Sequence, residues 1–190
     1  YLYSGGHIHR DANVIFSEGT LKTNPKKLQP SLKRILETKP EKNNSYLKIP
    51  ENVLIYYWVN TFKLKDILDY LVSYSGVSEK DTNLLESSIS NLTEMSNEKF
   101  YSLFGEKLEV LVRKGTGKQL LPLPDLAIKV TIINKEEFQK MLGLLLRKNG
   151  VKTHSQKYGK KTITVYGESG QINLQPAYLF IDNTFILATN

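Results

Sequence analysis

Cysteine is missing from all 190 residues, which excludes disulfides, thiolate nucleophiles and cysteine-ligated zinc. A chain without thiols suits an oxidising compartment and a reducing one equally, so its absence leaves location open. Long apolar runs are missing too. Val53 to Val59 and Met141 to Leu146 are the longest candidates, far short of the roughly 20 residues that cross a bilayer. Histidine is scarce, with 3 in the chain. No Gly-x-Ser-x-Gly elbow occurs, and the serines of Ser73 to Ser102 have no nearby His, which removes the usual nucleophilic triads. The first residues are not an initiator Met but Tyr1-Leu2-Tyr3, which read as the middle of a strand. A trimmed chain or proteolytic fragment is expected, with more protein beyond Asn190.

What is present is ordinary globular composition, 40% hydrophobic and 24% charged, so disorder is not expected. The 11 Tyr and 7 Phe lean towards strands. The length suits one domain with a proper core, or one domain plus part of a neighbour, rather than two full domains. The net charge of +7 is unevenly placed: residues 110 to 161 hold 12 Lys/Arg against 3 Asp/Glu, while 51 to 109 hold 5 against 10. Such asymmetry points to an anionic partner or to a solvated Lys-rich surface.

Residues 1 to 22 read as strands around His7-Ile8-His9 and Val14-Ile15-Phe16, punctuated by Gly5-Gly6. Pro25 to Lys48 is rich in Lys, Pro and Asn and reads as a linker with a short helix over Ser31 to Leu36. The expected organisation is therefore the tail of a preceding unit plus linker over 1–45, and an α+β domain over 46–190 that is truncated at its C-terminus. Val53 to Val59 is almost continuously apolar and reads as a buried central strand. Leu64, Ile67, Leu68, Leu71 and Val72 keep the spacing of one buried helix face, ending near Gly76. Ser78 with Asp81 resembles a capping box for a helix that turns Leu84, Leu85, Ile89 and Leu92 inward. A shorter helix carries Phe100, Leu103 and Phe104 and stops at Gly105. Strands follow over Leu108 to Val112 and Leu126 to Ile133. Asn134 with Glu137 then opens a helix bearing Phe138, Met141, Leu142, Leu145 and Leu146, closed by Asn149-Gly150. Thr162 to Tyr166 alternates, and Ala177 to Ile181 with Phe185 to Ala188 makes a hairpin around Asp182. Clustered helices and late hairpins favour an antiparallel or mixed sheet with helices packed on one face.

Each chemical motif meets a plainer reading. His7 and His9 project to one face of a strand and are the weak candidates for a metal. Such sites need further ligands and a larger scaffold, and His154 is the one remaining His, so an exposed strand pair is the simpler account. Gly115-Thr116-Gly117-Lys118 imitates a phosphate-binding loop, but Val112 and Gln119 occupy the positions that require Gly and Ser or Thr. The paired carboxylates Glu136-Glu137 and Asp66 with Asp69 sit where helix surfaces normally carry charge. Arg147, Lys148, Lys152, Lys157, Lys160 and Lys161, with His154 and Tyr158, occupy 15 residues without an acid. These are the anion-binding candidates, suited to a phosphate backbone or an anionic membrane surface, and otherwise an exposed loop. No nucleic-acid docking motif accompanies them, so nucleic acid is not the expected partner. Tyr56-Tyr57-Trp58 reads as core rather than as a stacking platform.

Ile49-Pro50-Glu51-Asn52-Val53-Leu54-Ile55-Tyr56, Leu121-Pro122-Leu123-Pro124-Asp125-Leu126-Ala127-Ile128 and Gln175-Pro176-Ala177-Tyr178-Leu179-Phe180-Ile181-Asp182 resemble landmarks of a family of uncharacterised bacterial extracytoplasmic proteins, a domain of unknown function. The likeness covers residues 46 to 190. It implies an exported protein of the periplasm or cell surface, membrane-tethered through a segment before residue 1, and it carries over no functional residue. The Lys- and Asn-rich composition and the helical stretch 78–104 are departures from that pattern.

With no complete catalytic constellation, the expectation is a non-enzymatic scaffold or protein-binding module without a cofactor. The alternative is a carrier of an apolar ligand such as a lipid, held in a cavity between the sheet and the helices bearing Leu68, Leu85 and Leu145. A metal hydrolase built on His7 and His9 is the third reading.

Overall fold

The computed structural model describes residues 3–11, 14–22, 24–28, 30–39, 41–75, 78–115, 124–167 and 176–189, the first two stretches as backbone alone. It divides the chain into two compact units, Tyr1–Lys39 and Pro40–Asn190.

In the first unit, β1 (Tyr3–Asp11) and β2 (Val14–Lys22) form an antiparallel pair. The ladder runs unbroken through Gly5 and Gly6, which lie opposite Thr20 and Gly19. The glycines expected to punctuate β1 therefore sit inside it, because they cost the ladder side-chain pairing but no backbone hydrogen bond. Asn24 caps a 3-10 turn over Pro25–Lys27, its side chain accepting from the Lys26 amide at 3.0 Å. The helix α1 (Pro30–Glu37) then opens on a proline, where a missing N–H costs nothing. It closes with the Thr38 hydroxyl donating to the Arg34 carbonyl at 2.9 Å.

The second unit contains β3 (Val53–Val59), α2 (Leu64–Ser75), α3 (Glu79–Thr93), α4 (Asn97–Ser102), β4 (Phe104–Arg113), β5 (Asp125–Ile132), α5 (Lys135–Lys148), β6 (Thr153–Tyr158), β7 (Lys161–Tyr166), β8 (Ala177–Ile181) and β9 (Thr184–Ala188). Its strands form one antiparallel sheet in the order β3-β4-β5-β9-β8-β7-β6. The fold is α+β. Alternation sorts the strands: Leu108, Val130, Ile132, Tyr178, Phe180, Phe185 and Leu187 turn to one face, where they meet Phe138 and Met141 of α5. Phe138 is the hub, its ring 5.7 Å from Phe104, 6.0 Å from Phe180 and 5.0 Å from Phe185. The helix starts follow local chemistry. The Ser78, Ser96 and Asn134 side chains accept from the amides of Asp81, Lys99 and Glu137, three residues on in each case.

Three expectations are corrected by long-range packing. The apolar strand β3 is an edge strand, with Leu54 66%, Ile55 58% and Tyr57 54% exposed. A continuous apolar run does not distinguish a central strand from an edge strand whose far face is covered by irregular chain. Here residues 41–49 supply that cover: Asn43 exchanges hydrogen bonds with the Tyr56 hydroxyl at 3.1 and 3.3 Å, and Ser45 donates to Glu109 at 2.9 Å. The Tyr56-Tyr57-Trp58 run is accordingly half-buried at Tyr56 and Trp58 and exposed at Tyr57, not core.

In α3, Leu84, Leu85 and Leu92 are exposed, and half-buried Ile89 with buried Thr93 marks the covered stripe. The helix packs against α5 and α4, which hides a narrower face than a sheet would. The expected helix end at Gly105 moves back to Ser102, and Gly105 lies inside β4. Sheet pairing takes over there: the Ile133 amide donates to the Leu103 carbonyl at 2.8 Å. A Cβ on Gly105 would stand 2.9 Å from Thr131 Cγ2.

Candidate anion-binding hairpin

The helix α5 ends as its sequence dictates. Gly150 takes a left-handed φ of 63°, and the Val151 amide donates to the Leu146 carbonyl at 2.9 Å. The chain beyond it departs from the sequence expectation. Residues 153–158, expected within an exposed loop, form β6 and pair antiparallel with β7, the strand expected over Thr162 to Tyr166, with Tyr158 opposite Lys161 and a two-residue turn at Gly159-Lys160. Gly159, with φ 58°, occupies the first turn position, where a positive φ matches the twist of the flanking strands. Every residue of β6 is exposed. Because both faces of β6 are polar, hydropathy shows no alternation, and the Gly-Lys turn is the one legible signal.

The six cationic candidates divide into two groups. Lys157, Lys160 and Lys161 surround the tip beside Tyr158, which is 79% exposed. Arg147, Lys148 and Lys152 lie at the base, at the end of α5 and the entry to β6. A six-residue strand separates the groups by roughly 20 Å, more than twice the Debye length of about 8 Å at physiological salt. They act as separate charges. At the base, Lys148 pairs with Glu94 at 2.8 Å and donates to the Asn91 carbonyl at 2.9 Å, tying α5 to α3. At the tip, Lys157, Lys160 and Lys161 meet no carboxylate among the described residues, and the sequence from 138 to 167 contains no acid. His154 lies on the same hairpin, its Nε2 3.2 Å from Gln156 Nε2.

The opposite sheet face carries a pocket of about 250 Å³. Its floor is Leu111, Ala127 and Ala188, in register across β4, β5 and β9, and Ile49-Pro50 forms a wall. Its charges are balanced from within: Arg113 pairs with buried Asp125 at 3.3 Å, and Lys129 pairs with Glu109 at 3.1 Å. The pocket is smaller than the roughly 300 Å³ or more typical of small-molecule sites, and it lies on the face away from the helices. Between sheet and helices, where the alternative reading put an apolar-ligand cavity, stand the rings of Phe100, Phe104, Phe138, Tyr178, Phe180 and Phe185.

His7 and His9 stand two apart on β1 with Glu18 and Phe16 as cross-strand partners, and their side chains lie outside the described residues. So do Thr116 to Leu123, including the glycine-bearing Thr116-Gly117-Lys118, and Gln175. Among the described residues no three of His, Asp and Glu converge on a metal-sized space, and no helix is long and apolar enough to cross a membrane. No family model, curated protein or solved structure matches the chain.

Proposed function

We propose that the chain is a non-enzymatic binding module that docks on an anionic phospholipid surface through the β6–β7 tip. One observation carries the reading: three lysines and an exposed tyrosine share a hairpin tip with no carboxylate from the described residues beside them. Cations near an anionic leaflet gain long-range attraction, and a tyrosine ring suits the headgroup layer, apolar in its body and polar at its hydroxyl. An extracytoplasmic setting, which the resemblance read in residues 46–190 implies, is part of this proposal. Surface attachment of this kind fits a scaffold, since it asks for no catalytic group.

Co-sedimentation with vesicles of phosphatidylglycerol and phosphatidylcholine, against phosphatidylcholine alone, tests this directly. At roughly 1 kcal/mol per lysine near an anionic surface, replacing Lys157, Lys160 and Lys161 by Gln should weaken binding about a hundredfold. The triple Arg variant should keep it, and salt at about 1 M should abolish it. Equal binding of the wild type to neutral and anionic vesicles, or of the Gln variant and the wild type to anionic ones, refutes the proposal.

A further inference from the structure

The two edges of the seven-stranded sheet are built on opposite plans. Edge β6 has Lys157 within it and Lys152, Lys160 and Lys161 around it, the charged blunting that keeps an edge from pairing with its like. Edge β3 has none of this. Val53 to Val59 contains no charge, no proline and no glycine, and its register shift is confined to the start, between Val53 and Ile55. Among the described residues no strand pairs with its outer side. Leu54, Ile55 and Tyr57 stand exposed there in the middle of the strand.

We infer that β3 pairs antiparallel with β3 of a second copy of this chain. The strand is self-complementary about Tyr56. Setting Tyr56 opposite its counterpart places Ile55 of each copy opposite Tyr57 of the other, on the same face, so the exposed pair in each copy covers the other reciprocally. Aromatic with β-branched is a favourable cross-strand pair. Lys63, just beyond the strand, already pairs with Glu106 of its own copy at 3.0 Å, so the reciprocal Ile55–Tyr57 contact is what favours the antiparallel direction. Self-pairing through β6 would juxtapose lysines. The contact is isologous and closes as a dimer, giving one continuous sheet with a β6–β7 hairpin at each end.

A single strand pair is a small interface, so the dimer should form at concentrations on the order of tens of micromolar. Sedimentation velocity of the full chain across that range should show a concentration-dependent monomer–dimer shift. Hydrogen exchange should show alternate amides of Leu54 to Val59 gaining protection as concentration rises. Ile55→Lys places a cation on each copy within the new contact and should raise the dissociation constant about a hundredfold. Circular dichroism should be unchanged, since position 55 is already exposed. Lys157→Gln, at the other edge, should leave the dimer intact. A monomer at every concentration overturns the inference. So does a dimer that Ile55→Lys leaves untouched, which would place the contact on another surface such as Leu84, Leu85 and Leu92.

Discussion

Replacing Phe138 by Ala removes the ring on which the second unit's core converges. Phe138 is buried against Phe185, Phe104 and Phe180, with ring centroids 5.0, 5.7 and 6.0 Å away, and it shares its helix face with Met141. Truncating a buried Phe costs about 3 to 5 kcal/mol, from lost transfer energy and the space left behind. Three aromatic neighbours lose an edge-to-face or tilted contact at once, which puts the expected loss near the top of that range. The comparison that isolates the reasoning is Leu84→Ala on α3, 55% exposed, which should change stability by no more than about 0.5 kcal/mol. Helical periodicity alone ranks both residues as core, so the pair separates tertiary position from pattern. Urea unfolding followed by Trp58 fluorescence suits the measurement, because the chain has 1 Trp and it sits on β3 of the second unit. A Phe138→Ala loss under about 1.5 kcal/mol, or a Leu84→Ala loss of similar size to Phe138→Ala, refutes the packing described.

Gly105→Ala should destabilise the second unit by about 1 to 3 kcal/mol through overpacking, because its Cβ would lie 2.9 Å from Thr131 Cγ2. Thr131→Ser removes that methyl but keeps the Cβ at 3.0 Å and the carbonyl at 3.3 Å, so the double variant should recover part of the loss; no recovery in urea unfolding would locate the strain elsewhere. Tyr166 is held neutral by burial, with neighbouring Tyr178 adding to the effect, and its pKa is pushed from 10.0 to about 12. An acid raised in the fold contributes stability that is complete below the ordinary value and is lost as pH climbs from 10.0 towards about 12. Ultraviolet titration of Tyr166→Phe should therefore lack the last tyrosinate step to appear; loss of a step near the ordinary value instead contradicts the burial.

Features decided within a turn or two of the chain are legible in the sequence. Asn134 accepts from the Glu137 amide and starts α5 where the capping pattern places it. The Asp182 turn closes β8 onto β9 with a left-handed φ of 52°, which Asp tolerates. The α+β class with an antiparallel sheet follows from the order of such local elements. The six cations are legible as a sequence run, and their division between hairpin tip and helix end is not.

Composition and periodicity specify which residues need cover, and the assembled chain settles which of them receive it. The run from Val53 to Val59 reads the same at a sheet's centre and at its edge, because hydrogen-bonding partners come from strands distant in sequence. Leu84 and Phe138 satisfy the same helical spacing, yet of their two helices α5 lies on the sheet's apolar face and α3 packs on α5 and α4, so Phe138 is enclosed and Leu84 is not. Strand β6 leaves no hydropathy signal, since its pairing with β7 is backbone to backbone and its side chains never leave water, whereas β7 alternates visibly because Val165 is buried. Where cover comes from neighbours remote in the chain, the tertiary fold alone assigns burial, edge and exposed charge.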